Sequence, residues 1–137
     1  MDTGALGKIY QDGEDIVKQG DNGDCMYVIQ SGQVEVLKET DGKTVRLAVR
    51  REGDFFGEMA LFEHKVRMAT VRALGTARIL TIDKKNFLRR IHEDPSLAYH
   101  LIKNMSARIR QLSEEVTRYE KLPSEADSRY EIVRPNP

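Results

Sequence analysis

A glutamate and an arginine nine residues apart form the arrangement in this sequence that most suggests chemistry. Residues 55–73 read FFGEMALFEHKVRMATVRA, with Gly57 and Glu58 opening a predicted helical turn and Arg67 opening a predicted strand. The first N–H groups of a helix and an arginine suit a phosphate, while a carboxylate accepts hydrogen bonds from a sugar hydroxyl. The pair therefore fits a ribose that carries a phosphate, and its spacing equally fits a surface salt bridge.

Other residue types that support catalysis are scattered along the chain. His64, His92 and His100 fall in a loop and two helical regions without metal-ligand spacing, which argues against a metal-dependent jelly-roll enzyme. The single cysteine, Cys25, excludes an internal disulfide and a multi-thiolate metal site, and we expect a packed side chain rather than a nucleophile. We therefore expect no enzyme and no metal.

Length and charge limit the classes of protein and partner. The 137 residues suit one domain, and 22 Lys+Arg against 22 Asp+Glu give no overall attraction to nucleic acid. Residues 60–90 are nevertheless basic, which is typical of a solvated face and would help to attract an anionic ligand. Without a membrane-length apolar run or a secretory signal, the chain is expected to avoid membranes and to be cytoplasmic.

Residues 8–83 predict many short strands separated by turns, as in a sandwich, barrel or jelly roll. Among the turn signals are Ser31-Gly32 and Gly75. The apolar or alternating runs are Asp15–Lys18, Met26–Gln30, Val34–Leu37, Thr44–Val49, Thr70–Ala73 and Ala77–Ile82.

The chain turns helical after Asp83. A helix is predicted over Lys84–Ile91, and Asp94-Pro95 starts a second one that runs to Glu120. Apolar residues of this second helix follow a 4-3-4-3-4-3 spacing, at Ala98, Ile102, Met105, Ile109, Leu112, Val116 and Tyr119. Such heptads favour a homodimer through residues 95–120, the alternative being a helix that packs on its own β-domain. Residues 121–137 are predicted to be a tail or linker remnant.

The cassette at residues 56–71 resembles that of a known family. Phe56-Gly57-Glu58-Met59-Ala60-Leu61 followed by Arg67-Met68-Ala69-Thr70-Val71 is similar to the phosphate-binding cassette of the cyclic nucleotide-binding domain family, F-G-E-x-A-L and then R-x-A-T-V. The similarity covers about residues 8–117 and includes Gly20-Asp21-x-Gly23-Asp24-x-Met26-Tyr27-Val28-Ile29. It is strongest to the catabolite-activator (Crp/Fnr) branch.

This resemblance implies a mainly β fold. The expected architecture is an antiparallel β-roll (a double-stranded β-helix or jelly roll) with flanking helices and a long C-terminal dimerisation helix. One cyclic nucleotide-binding domain would span residues 1–120, with the roll at about 8–83 and helices at about 84–120. The ligand would lie between the cassette and the C-terminal helix.

The resemblance also implies roles for individual residues. Glu58 would take the ribose 2′-hydroxyl and Arg67 the cyclic phosphate. The anion cradle would be completed by backbone at Gly57, Ala60 and Ala69, while Leu61 and Val71 would line the pocket and Met59 would belong to the same ligand-binding cassette.

Base recognition departs from the family pattern at two positions. Met68 follows Arg67 where cGMP-selective members often have threonine, and because its thioether offers no hydroxyl to a guanine, cAMP is favoured while cGMP stays possible. Leu112 stands at the adenine-contacting threonine of the catabolite activator. Ser113, the next residue, is the candidate for contact with the base of a partner's ligand.

The function that this resemblance implies is a non-catalytic sensor module for a cyclic nucleotide, most consistent with cAMP. Its output protein or domain is unknown, and no direct contact with nucleic acid is expected. Two alternatives stay open. The 17 residues after Glu120 are too few for a helix-turn-helix, so the chain would be the sensor half of a catabolite-activator-type regulator. Otherwise it would be a β-roll that has lost its ligand and serves as a dimerisation or protein-interaction module.

Overall fold

A computed structural model of the chain describes residues 5–63 and 66–121, with side chains up to residue 118. The chain divides into two compact units, Met1–Glu93 and Asp94–Pro137, and each is described by itself. Helix α3 (Ser96–Lys121) belongs to the second unit. In order, the first unit contains β1 (Lys8–Tyr10), β2 (Asp15–Val17), β3 (Cys25–Thr40), β4 (Lys43–Arg51), β5 (Phe55–Phe56), α1 (Glu58–Glu63), β6 (Thr70–Asp83) and α2 (Lys84–Glu93).

The first unit is built on an antiparallel sheet in which two long strands form the centre. The strand order is β1-β6-β3-β4, with β2 also paired to β6 and β5 to β3. Strands β3 and β6 pair from Cys25↔Asp83 to Leu37↔Thr70. This mainly antiparallel β architecture with flanking helices confirms the predicted β-roll.

The turns predicted at Ser31-Gly32 and Gly75 are wrong, because β3 and β6 continue through them. Gly32 and Gly75 have φ of 83° and 75°, and the register between β3 and β6 shifts on both sides of Ser31. A glycine at positive φ serves a β-bulge as well as a turn. The long strands therefore bend at these positions, and the predicted short strands merge into two long ones.

Both faces of the bent sheet contribute to the core of this unit, because neighbouring residues such as Val28 and Ile29 in β3, or Ile79 and Leu80 in β6, are all buried. One cluster contains alternate residues of β6, since side chains in a strand alternate between its two faces. Its buried members are Val17, Ile29, Val34, Phe56, Val71, Ala73, Ala77 and Ile79. Burial of these side chains holds β5, and so the start of the cassette, against the sheet.

Helices α1 and α2 pack through aromatic side chains. Phe62 of α1 meets Phe87 of α2 edge to face, with ring centroids 5.6 Å apart. The Asp83 carboxylate accepts a hydrogen bond from the Asn86 N–H at 2.8 Å, which caps α2. Helix α2 ends at Glu93, two residues beyond its predicted end at Ile91.

The second unit contains the predicted long helix, which begins at Ser96 after an Asp94 cap. The Asp94 carboxylate accepts from the Ser96 N–H at 3.1 Å. Five heptad residues of α3 are exposed: Ile102, Met105, Ile109, Leu112 and Val116. The predicted heptad member Tyr119 has its side chain outside the described residues, as does the predicted tail from residue 122 onward. Within the described part of the chain, no helix combines the length and apolarity needed to cross a bilayer.

Candidate anion-binding site

Arg67 lies inside the protein, although arginine is usually a surface residue. Its exposed fraction is 8%, so the guanidinium is not a surface group. Its guanidinium donates Nη1–H to the Gly57 carbonyl at 3.1 Å and Nη2–H to the Cys25 carbonyl at 2.9 Å. Because arginine has five N–H donors, these two hydrogen bonds leave the guanidinium capacity to bind an anion.

The backbone of Arg67 is tied to the loop that precedes β3. The Arg67 N–H donates to the Asp21 carbonyl at 2.7 Å, and the Gly20 N–H donates to the Arg67 carbonyl at 2.9 Å. Next to them, Asn22 and Val66 form an isolated antiparallel bridge. These contacts fix the arginine's Cα, so the position of the guanidinium depends on the side chain's own surroundings.

Close packing surrounds the guanidinium on several sides. Its Cζ lies 5.4 Å from the centroid of the Tyr27 ring, and that ring stacks on Phe56 with centroids 5.1 Å apart. A methyl group at Gly57 would lie 2.7 Å from Nη1, and one at Gly23 would lie 2.5 Å from Cζ. Gly57 also has φ of 77°, which favours glycine. Both glycines therefore allow the guanidinium to approach the backbone.

The predicted helical turn after Gly57 is helix α1. Glu58 lies in its first turn, and the Ala60 N–H donates to the Gly57 carbonyl at 3.2 Å. Ala60 and Leu61 are buried, whereas the Met59 side chain is exposed. The structure thus places Glu58 one residue after Gly57, whose carbonyl accepts a hydrogen bond from the Arg67 guanidinium. A shared role of Glu58 and Arg67 in ligand binding stays a prediction.

The residues after Arg67 lead into β6 with different exposures. Met68 is exposed, Ala69 is partly buried, and Val71 packs in the core. Between them, the Thr70 hydroxyl accepts a hydrogen bond from the Gln19 N–H at 3.0 Å. An exposed methionine beside a buried arginine offers an apolar surface at the edge of an anion site.

Ser113 is the one predicted site residue outside the first unit. It lies on α3 with an exposed side chain, and its carbonyl accepts a hydrogen bond from the Thr117 hydroxyl at 2.9 Å. The other nine predicted site residues fall within residues 57–71 of the first unit. A contact of Ser113 with the base stays a prediction.

Cys25 contributes its backbone carbonyl to the surroundings of Arg67, but its thiol is unreactive near neutral pH. Burial, reinforced by a hydrogen bond from its Sγ to the Asp24 carboxylate at 3.2 Å, raises the pKa of its thiol to about 11. A thiol with that pKa stays protonated near neutral pH and is a poor nucleophile. No group of three or more His, Cys, Asp or Glu among the described residues could hold a metal ion. His64 lies outside them.

Sequence reasoning did not identify the residues that surround the guanidinium: Gly23, Cys25 and Tyr27. Cys25 acts through its backbone carbonyl, which no side-chain pattern reveals, and it stands 42 positions from Arg67. Gly23 and Tyr27 belong to the segment at residues 20–29 that resembles the family's first hairpin. Only that resemblance could have pointed to Gly23 and Tyr27, since neither a glycine nor a tyrosine carries a charge that would suggest an anion site.

Comparison with known protein sequences identifies the family. A family described as cyclic nucleotide-binding domain matches residues 8–94, which is more than half of the chain. The cAMP-dependent protein kinase regulatory subunit of Mucor circinelloides f. lusitanicus is 44% identical over 86 residues, a match that covers 62% of this chain and 20% of that protein. This chain spans about a fifth of the length of the curated relatives it matches.

Solved structures agree with this assignment. The Thermus thermophilus catabolite activator protein matches with a TM-score of 0.72 and 28% identity, over 82% of this chain and 54% of that chain. The EAL enzyme Bd1971, in its half-site-occupied form, matches with a TM-score of 0.61 and 32% identity, over 76% of this chain and 94% of that chain. Its cGMP-bound and cAMP-bound forms also match, each with a TM-score of 0.57.

The β-roll, the buried arginine in its cassette and the family match all lead to the same assignment, and they confirm the resemblance found in the sequence. The chain belongs to the cyclic nucleotide-binding domain family.

Proposed function

We propose that the chain is a non-catalytic sensor that binds cAMP at the cassette around Arg67. The observation that carries this proposal is the buried guanidinium, which faces neutral backbone carbonyls at 2.9 and 3.1 Å. A buried cation is costly unless a negative charge or several hydrogen bonds compensate it. The cyclic phosphate supplies that charge, and the carboxylate of Glu58, one residue from Gly57, accepts from the ribose 2′-hydroxyl.

The remaining cassette residues surround the ligand in this proposal. The backbone of Gly57, Ala60 and Ala69 completes the phosphate cradle, and Leu61 and Val71 close its inner side. The exposed Met59 and Met68 border the opening, where an apolar side chain packs against a base. This arrangement uses neither a metal nor a nucleophile, which suits binding rather than catalysis.

Two features support cAMP as the ligand. Met68 has no hydroxyl to donate to or accept from a guanine, and the kinase regulatory subunit that matches this chain is named for cAMP. The EAL enzyme Bd1971 has been solved with cGMP as well as with cAMP. We therefore include cGMP as the competing ligand in the experiment.

We further propose that two chains associate through α3 into a homodimer. Ile109 and Leu112 are 62% and 60% exposed although they stand in a strict heptad pattern. A seam of this kind is stable when a second copy covers it. The dimer would pass the binding signal on to another domain or protein, in the way that a ligand shifts a two-state equilibrium.

Isothermal titration calorimetry with cAMP and cGMP tests the proposed site. We expect saturable binding by the wild-type chain and a loss of about thirtyfold or more for Arg67→Ala, because that variant removes a buried partner of the phosphate. Arg67→Lys keeps the positive charge but loses the two-pronged geometry, so we expect an intermediate loss. Near-wild-type affinity of Arg67→Ala would show that the site is elsewhere.

A matched control separates the site from a general effect of charge. Arg46→Ala removes an arginine whose ion pair with Glu35 at 3.1 Å lies on the β3–β4 hairpin. We expect Arg46→Ala to bind cAMP like the wild type, and thermal melts to show that all variants are folded. If the wild-type chain binds neither nucleotide, the alternative of a β-roll that has lost its ligand is supported instead.

A further inference from the structure

The Arg67 guanidinium lies in a slot formed by Gly23, Cys25, Tyr27 and Gly57, which we call the guanidinium slot. The two carbonyls of the slot hold the ends of the guanidinium, and the Tyr27 ring lies beside its Cζ. The slot therefore restricts both the position and the rotation of the guanidinium. A flexible arginine side chain otherwise loses much conformational entropy when it grips a ligand.

Tyr27 itself packs against the core. Its ring stacks on Phe56 with 14° between the ring planes, and Phe56 belongs to the buried core. Burial raises the pKa of the Tyr27 hydroxyl, and the nearby Arg67 charge opposes that rise. The aromatic ring thus connects the guanidinium to the core, and a cation beside a ring gains electrostatic attraction.

A glycine at position 23 leaves room for the Arg67 guanidinium. Its φ is outside the left-handed region, so its backbone conformation is open to other residues. A methyl group at this position would nevertheless lie 2.5 Å from Cζ of Arg67 and closer still to Nε and Nη2. Because the guanidinium is the movable partner, an alanine here would displace it and leave the surrounding backbone in place.

We propose that Tyr27 and Gly23 are positioning residues that determine how tightly the site binds a cyclic nucleotide, because they hold the Arg67 guanidinium in its binding position. This proposal rests on the proposed function and adds two residues to it. It predicts that affinity depends on side chains that need not touch the ligand. Most of the change should appear as faster dissociation, since a mobile arginine keeps its charge but holds the phosphate less well.

The experiment compares pairs of variants by calorimetry with cAMP. Tyr27→Leu removes the ring, and we expect affinity about tenfold weaker; Tyr27→Phe keeps the ring and should restore wild-type affinity. Tyr10→Leu is the matched control because Tyr10 packs against the same core and has Lys8 4.9 Å from its ring. It should lower stability and leave affinity unchanged.

Gly23→Ala is the sharper variant because it adds atoms to the slot and removes none. We expect affinity about tenfold or more weaker with a nearly unchanged melting temperature. Gly42→Ala, at a hairpin position where a methyl group meets nothing within 4 Å, should bind normally. Wild-type affinity in both Gly23→Ala and Tyr27→Leu would overturn the proposal.

A second measurement, made without ligand, reports whether the guanidinium is held in place. The Nε–H signal of Arg67, assigned by its loss in Arg67→Lys, should exchange slowly with solvent in the wild-type chain and fast in Tyr27→Leu and Gly23→Ala. Equal exchange in all three would contradict the slot even if affinity changed. Failure of the wild type to bind any cyclic nucleotide would instead overturn the proposed function, while the exchange rates would still decide whether these residues position Arg67.

Discussion

In the proposed ligand site, neutral backbone groups hold the buried Arg67 side chain. Its guanidinium donates hydrogen bonds to two backbone carbonyls at 2.9 and 3.1 Å, and these neutral acceptors satisfy part of its hydrogen-bonding capacity without supplying a negative charge. A carboxylate in that position would compete directly with a phosphate. At the scale of single residues, the proposed site therefore combines a guanidinium directed by neutral acceptors with N–H donors beyond the two that these acceptors use, and both favour an anion.

Cys25 allows a prediction about pH. Its thiol has a pKa of about 11 in the folded chain, compared with 9.0 for an ordinary cysteine thiol, mainly because of burial. Alkylation by iodoacetamide requires the thiolate, so its rate in the folded chain should rise through about pH 11. In urea-unfolded chain the rise should come near pH 9. Mass spectrometry measures both rates on the chain's single cysteine.

The same shift has a consequence for stability. A thiol whose pKa is raised on folding stabilises the folded chain below the unfolded pKa, and that contribution is lost as pH rises from about 9 through about 11. Cys25→Ala should therefore reduce the loss of stability in this window, measured by urea denaturation at pH 8, 9.5 and 11. A native alkylation profile centred at or below pH 9 would contradict the burial of this thiol.

At the scale of elements, the bends of β3 and β6 depend on glycines in different surroundings. Gly32 and Gly75 both have positive φ, so alanine is strained at either position. At Gly32 a methyl group would also lie 2.9 Å from Cα of Ala77 and closer still to the Thr76 carbonyl oxygen, whereas at Gly75 it would meet nothing within 4 Å. Alanine at Gly75 therefore tests backbone strain alone, whereas alanine at Gly32 tests backbone strain together with steric clash.

We predict that Gly75→Ala lowers the free energy of unfolding by about 1–2 kcal/mol, and that Gly32→Ala lowers it by about 1–3 kcal/mol more. The extra loss arises because backbone atoms of the neighbouring strand must move. Urea denaturation followed by circular dichroism measures both values. Equal losses in the two variants would show that the strands relax easily at the Gly32 bend.

These bends also show what the sequence could and could not reveal. The apolar runs, the helix starts and the cassette from Phe56 to Val71 all have local signals, and the structure has strand or helix at each predicted run. Ser31-Gly32 has the composition of a turn, yet the choice between a turn and a bulge depends on pairing with β6, some 40 residues away. The guanidinium slot was hidden for the same reason, since its carbonyls and glycines come together only through the long-range pairing of the strands.

At the scale of the whole molecule, the two units have separate tasks in the proposed function. The described contacts of the Arg67 side chain all come from residues 23–57 of the first unit. The exposed heptad residues all lie on α3 in the second unit. Binding and association should therefore respond to different substitutions, and this separation can be tested.

Ile109→Glu tests that separation because it places a charge in the middle of the heptad seam. Ile109 is exposed in the single chain, so the substitution should leave the monomer folded, whereas a buried charge in a dimer should weaken association by about a hundredfold or more. Lys103→Glu, next to the heptad residue Ile102, is the control and should keep the dimer. Sedimentation velocity across a concentration series measures association, and calorimetry should show that both variants still bind cAMP.

A wild-type chain that sediments as a monomer throughout would exclude association through α3, whereas a dimer that survives Ile109→Glu would place the contact on another surface. Loss of cAMP binding in Ile109→Glu alone would show that the site needs the dimer, and the site could then no longer be assigned to the first unit by itself.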